Sequence, residues 1–235
     1  MTITIRRAPA LALMQGREGI TNRDLQAALA EETMGLRQPI ASILEEDKRA
    51  IAHHEAGHAV ATWALTHDKI TRASLVRYSG GPTGGASLGH ICPVPEKERV
   101  GARVSDIAKK ICVGLASRAA EIEFLGEPHM GGTSDMMGVR VLLLRLAKEG
   151  VFSSLGYSLQ PSPVLVGEMD AFSHELMDFT RRVLRQQAGK VHALVERLTQ
   201  KEELNAEEVA AVLGPRPGEE AQLPEGGQLG PRTLI

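Results

Sequence analysis

Apolar positions recur at helical spacing over most of this chain. The first twenty residues read as irregular. A helix is predicted from Thr21, where Thr21 offers an N-cap hydroxyl, Asp24 stands three residues on, and Leu25, Ala28 and Leu29 form a short apolar stripe. A second helix is predicted from about Glu45 through Ile51, Ala52, Ala59 and Val60 to about Leu65. The period then shortens. Residues 69–77 read as a strand, 79–85 as a Gly-rich turn, and 88–92 as a second short strand ended by Pro93. Helical patterning resumes from about 96 to 124, with a break near Ser105. After a Gly-rich loop at 126–132 it resumes again from Thr133 or Ser134, carrying Val139, Leu142, Leu143 and Leu146. Residues 150–166 read as loop, 169–199 as one long amphipathic helix, and 205–213 as a short one. From Gly214 onward Gly, Pro, Gln and Glu dominate, the composition of a disordered tail. The expected organisation is an irregular segment at 1–19, one folded unit at 20–213 and a tail at 214–235. The fold class is mainly α with a small β-sheet.

Composition narrows the function. With 235 residues, 43% hydrophobic and 24% charged, the chain can bury a core; at 3% aromatic, that core must be aliphatic. A net charge of −2 gives no bulk attraction to nucleic acid. The two cysteines, Cys92 and Cys112, have no CxxC spacing, so a disulfide framework is not expected and a reducing compartment is. No apolar run approaches the ~20 residues of a membrane-spanning helix. The apolar stretch at 8–14 is shorter than a signal-peptide core, contains a proline and lacks a clear cleavage site. These features predict a soluble, cytoplasmic protein.

Chemistry concentrates at His54-Glu55-Ala56-Gly57-His58, an HExxH motif inside the second predicted helix. Residues four apart share a helix face, so His54 and His58 can aim both imidazoles at one Zn²⁺. Glu55 sits beside them as the general base that takes a proton from water attacking a carbonyl. Gly57 lowers helix propensity by roughly 1 kcal/mol against Ala, which points to close approach by another group. His53 lies five residues before His58 and points off the metal face. A third protein ligand is needed, and the position for it in HExxHxxGxxH is filled here by Ala64. Two acids qualify, Glu121 and Asp135, and spacing alone leaves the choice open. His67, His129, His174 and His192 read as surface or capping groups.

Taken together these segments resemble the peptidase domain of the FtsH-type membrane-anchored AAA proteases. Residues 47–60 resemble the family's catalytic helix, Leu88-Gly89-His90 its Leu-Gly-aromatic strand, and Ser117-Arg118-Ala119-Ala120-Glu121 its Gly-Gly-Arg-x-Ala-Glu helix. Gly132-Thr133-Ser134-Asp135 resembles the segment that supplies the third zinc ligand. The resemblance implies Asp135 as that ligand, Glu121 as a group orienting a ligand histidine, and Leu88, Gly89 and His90 as an edge on which extended substrate is laid. It implies a zinc metalloendopeptidase acting on unfolded or flexible polypeptide, in a homo-oligomer that is a hexamer in the family. Three positions depart from the family: Ile122 replaces a glutamate, Ser117 a glycine, and His90 an aromatic. Residues 16–25 resemble the end of the family's ATPase lid, yet no GxxxxGK[ST] phosphate loop occurs in these 235 residues. A separate AAA ATPase is therefore an expected partner. The alternative is an interaction module that keeps the peptidase fold to capture extended peptides without turnover.

Overall fold

The computed structural model describes residues 2–38, 43–80, 86–97, 100–152 and 160–217. In chain order the elements are α1 (Thr2–Met14), α2 (Asn22–Met34), β1 (Gly35–Gln38), α3 (Glu45–Leu65), β2 (Asp68–Ser74), β3 (Arg77–Gly80), β4 (Ala86–Ser87) and β5 (His90–Pro95). They continue with α4 (Val104–Leu125), α5 (Thr133–Lys148), α6 (Pro163–Gln186), α7 (Ala188–Lys201), β6 (Glu203–Asn205) and α8 (Ala206–Leu213). The fold is mainly α with small sheets. Among the described residues no helix is long and apolar enough to cross a membrane.

Helix α3 occupies the centre, packed on α4, α7 and β2. Its small side chains allow this: Ala52, Ala56, Ala59, Val60 and Ala61 are all at 0% exposure. The closest approach is at Gly57, where a Cβ would stand 2.5 Å from the Ala116 carbonyl oxygen and 2.8 Å from Ala120 Cβ. Glycine here sets the α3–α4 distance. Gly57→Ala should therefore destabilise the protein, because overpacking against backbone costs about 1–3 kcal/mol while helix propensity returns at most ~1. The expected reading is a thermal midpoint lowered by about 2–8 °C. A midpoint raised by the substitution would mean that α4 can move aside freely.

Strand β2 lies between β5 and β6, antiparallel to both. Strand β5 runs through Pro93 to Pro95 rather than ending at Pro93. An edge strand tolerates proline because its outer N–H groups have no ladder partner, and the β2–β5 register also shifts between Ile70 and Arg72. Strand β6 comes from far along the chain, after α7, and was not expected. It pairs Asn205, Leu204 and Glu203 with Arg72, Ala73 and Ser74, and the Arg72 guanidinium donates to the Glu203 carboxylate. A second sheet, ordered β1-β3-β4, was also not anticipated.

The segment expected to be irregular is helix α1. Ala8 and Ala12, four apart and each 1% exposed, are buried where α1 packs on α2, so tertiary packing offsets the N–H that Pro9 cannot donate. Three other boundaries differ from expectation. The helix expected from 96 begins only at Val104, where the Asp106 carboxylate accepts from the Arg103 backbone N–H at 3.0 Å. The loop expected to 166 ends at Ser162, whose Oγ accepts from Leu165 N–H at 3.2 Å, with Pro163 opening α6. The single long helix at 169–199 is two, α6 and α7, parted at Gln187 (ψ 20°). Of the expected turn at 79–85 and tail at 214–235, residues 81–85 and 218–235 lie outside the described residues. Arg216 donates to the Thr66 and Asp68 carbonyls at 3.0 and 2.5 Å.

Candidate metal centre

Three elements meet at the HExxH motif. Helix α3 presents His54 and His58 on one face, their rings edge to face at 5.1 Å between centroids. Asp135 enters from the first turn of α5, a position that suits a carboxylate near a helix N-terminus. Its Oδ2 lies 3.1 Å from His54 Nε2 and 3.3 Å from His58 Nε2. One donor atom from each of the three residues falls within 4.8 Å of the others.

Helix α4 orients this cluster from behind, through residues spaced four apart. The Val113 carbonyl accepts from His58 Nδ1 at 2.8 Å, and Glu121 Oε1 accepts from His54 Nδ1 at 2.8 Å. Between them the Ser117 hydroxyl donates to Asp135 Oδ2 at 3.3 Å. A carbonyl can only accept, so His58 donates through Nδ1 to Val113, which fixes the ring with Nε2 facing Asp135. Glu121 is itself held, since its Oε2 accepts from the His129 backbone N–H at 2.8 Å. The two acids left open by spacing are thus placed differently. Asp135 faces both Nε2 atoms, while Glu121 sits on the opposite nitrogen of His54.

Electrostatics here favour positive charge. Burial alone would lower the His54 pKa, but hydrogen bonds to Asp135 and Glu121 outweigh it and hold the imidazole at about 10. Burial likewise works to raise the Asp135 pKa and is overcome by the two histidines, leaving the carboxylate ionised. Two imidazole nitrogens and a carboxylate oxygen form a donor set suited to zinc, with a fourth position left for water or substrate.

Glu55 is buried on the same helix. Burial raises its carboxyl pKa to about 7, against the opposing pull of His58 and His54. Gly89 stands directly against it: a Cβ there would lie 2.6 Å from Glu55 Oε1. Leu88 is exposed, whereas His90 is buried with its ring edge to face on Tyr78 at 5.5 Å. Of that trio, Gly89 is brought to Glu55. His53 donates to the Arg49 carbonyl at 2.8 Å and lies near the rings of Phe124 and His192. Sequence reasoning missed the Val113 carbonyl and the Ser117 hydroxyl as orienting groups. Ser117 and Val113 lie four and eight residues ahead of Glu121, on the same face of α4.

Known proteins match along nearly the whole chain. It is 25% identical over 240 residues to the ATP-dependent zinc metalloprotease FtsH of Rhodothermus marinus, covering 93% of this chain and 34% of that protein. It is 28% identical over 241 residues to FtsH 1 of Salinibacter ruber, covering 93% and 34%. To FtsH 3 of Sorangium cellulosum it is 28% identical over 232 residues, covering 92% and 38%. The chain thus spans about a third of the length of the curated relatives it matches. The profile of peptidase family M41 matches residues 41–162, a stretch holding the HExxH helix, the orienting helix and Asp135, and the chain belongs to that family.

Proposed function

We propose that this chain is a zinc metalloendopeptidase cutting unfolded or flexible polypeptide, with His54, His58 and Asp135 holding the metal. The observation that carries this reading is the convergence of both Nε2 atoms on Asp135 Oδ2, with Glu55 on the next residue of the same helix. Bound zinc supplies a Lewis acid that activates water and polarises the scissile carbonyl. The residues do the rest. Glu55 takes a proton from the attacking water and passes it to the departing amine nitrogen. Glu121 and Val113 keep the two imidazoles in one tautomer and one orientation.

Extended substrate fits the edge of β5 as an added strand. Pro93 and Pro95 have no N–H to offer, so the N–H groups that β5 could lend to an added strand lie towards its His90 end, the one nearer Gly89 and Glu55. The relatives are named ATP-dependent, and no phosphate loop occurs within these 235 residues. A motor delivering unfolded chains would therefore come from outside them, and the chain itself assembles as a homo-oligomer.

The test pairs zinc content with cleavage of casein. One zinc per chain is expected, with cleavage abolished by a zinc chelator and restored by added zinc. Stoichiometric zinc without cleavage of any unfolded chain would favour peptide capture without turnover.

A further inference from the structure

A depression of about 200 Å³ adjoins the candidate metal centre, with His54 in its wall. Arg118 of α4 and Arg140 of α5 line it together with Met130, Met136 and Met137. Both arginines are exposed, and among the described residues neither pairs with a carboxylate; the contact of Arg140 is a weak one to Met137 Sδ at 3.9 Å. Glu121 shares the wall but does not neutralise them, because its two oxygens are taken by His54 Nδ1 and the His129 N–H. Elsewhere the fold pairs arginines closely, as with Arg17 and Asp24 at 2.6 Å or Arg185 and Glu123 at 2.7 Å. Two unpaired guanidinium groups from different helices thus flank one depression beside the reacting groups, over thioether walls that accept a methylene stem.

We infer that this depression receives a substrate carboxylate next to the scissile bond. The carboxylate is that of a glutamate side chain, which keeps the cut an endopeptidase one, or of the substrate's own C-terminus, which would make that cut a carboxypeptidase one. The inference rests on the peptidase reading for its substrate class, and on Arg118 and Arg140 for its selectivity.

The experiment uses the full chain loaded with zinc and peptides taken from casein cleavage sites mapped by mass spectrometry. Each is made as a Glu/Gln pair beside the cut and as a free acid/amide pair at the C-terminus. The carboxylate form is expected to be favoured in kcat/KM by roughly 3- to 10-fold, since exposed guanidinium pairs are screened by solvent. The ratio should shrink as salt rises, fall to about one in Arg140→Met, and partly survive in Arg140→Lys. Loss on Glu→Gln assigns the side chain, and loss on amidation assigns the terminus. Equal rates for both forms, or a preference undiminished in Arg140→Met, would overturn the inference. Anisotropy of the same labelled peptides on the Glu55→Gln chain gives a readout independent of turnover. Equal binding of both forms would sink this inference alone, whereas no cleavage of casein, which leaves no site to build the pairs on, would sink the peptidase reading and this inference with it.

Discussion

Replacing Glu55 with glutamine is expected to cut hydrolysis of an unfolded substrate by roughly 10²- to 10⁴-fold while zinc stays at one per chain. The separation of the two readouts follows from position. Glu55 is not among the three residues whose donor atoms converge, so its charge is not needed to hold the metal. It is buried beside them with Gly89 against its carboxylate, where a proton acceptor would meet a backbone laid along β5. Glutamine keeps the shape and removes only the basicity. Zinc content by metal analysis and casein turnover decide the matter. Turnover within a few-fold of the unaltered chain would remove Glu55 from the mechanism, and loss of zinc would mean that it helps to hold the metal.

The second large effect separates the two acids. Asp135→Asn should weaken zinc binding by more than about 100-fold, whereas Glu121→Gln should cost the roughly 10- to 100-fold typical of a group that orients a ligand from behind. Asp135 Oδ2 faces both Nε2 atoms, while Glu121 touches only Nδ1 of His54. Competition with a zinc chelator gives the two affinities. The reverse order, with Glu121→Gln the more damaging, would exchange their roles.

The helix that carries the candidate site was legible in the sequence because its determinants are local. HExxH needs only a helix, and the helix expected from Glu45 to Leu65 is the one found. The penalty of Gly57 pointed to a close neighbour, which is the Ala116 carbonyl. What escaped depends on distant partners. The three residues of β6 give no strand signal until β2 is beside them, and α1 is a helix because Ala8 and Ala12 find α2. Ser117 was visible only as a departure from a glycine. Its hydroxyl gains meaning once α5 sets Asp135 against it. Backbone acceptors such as the Val113 carbonyl have no residue signature at all.

Because Val113, Ser117 and Glu121 lie on one helix and each hydrogen-bonds a different side chain of the candidate metal centre, metal held there would be thermodynamically linked to the seating of α4. By reciprocity, any contact that presses α4 home tightens the metal by the same factor by which the metal tightens that contact. An oligomer interface or substrate bearing on α4 would therefore be read out, at a distance, as a change in zinc affinity.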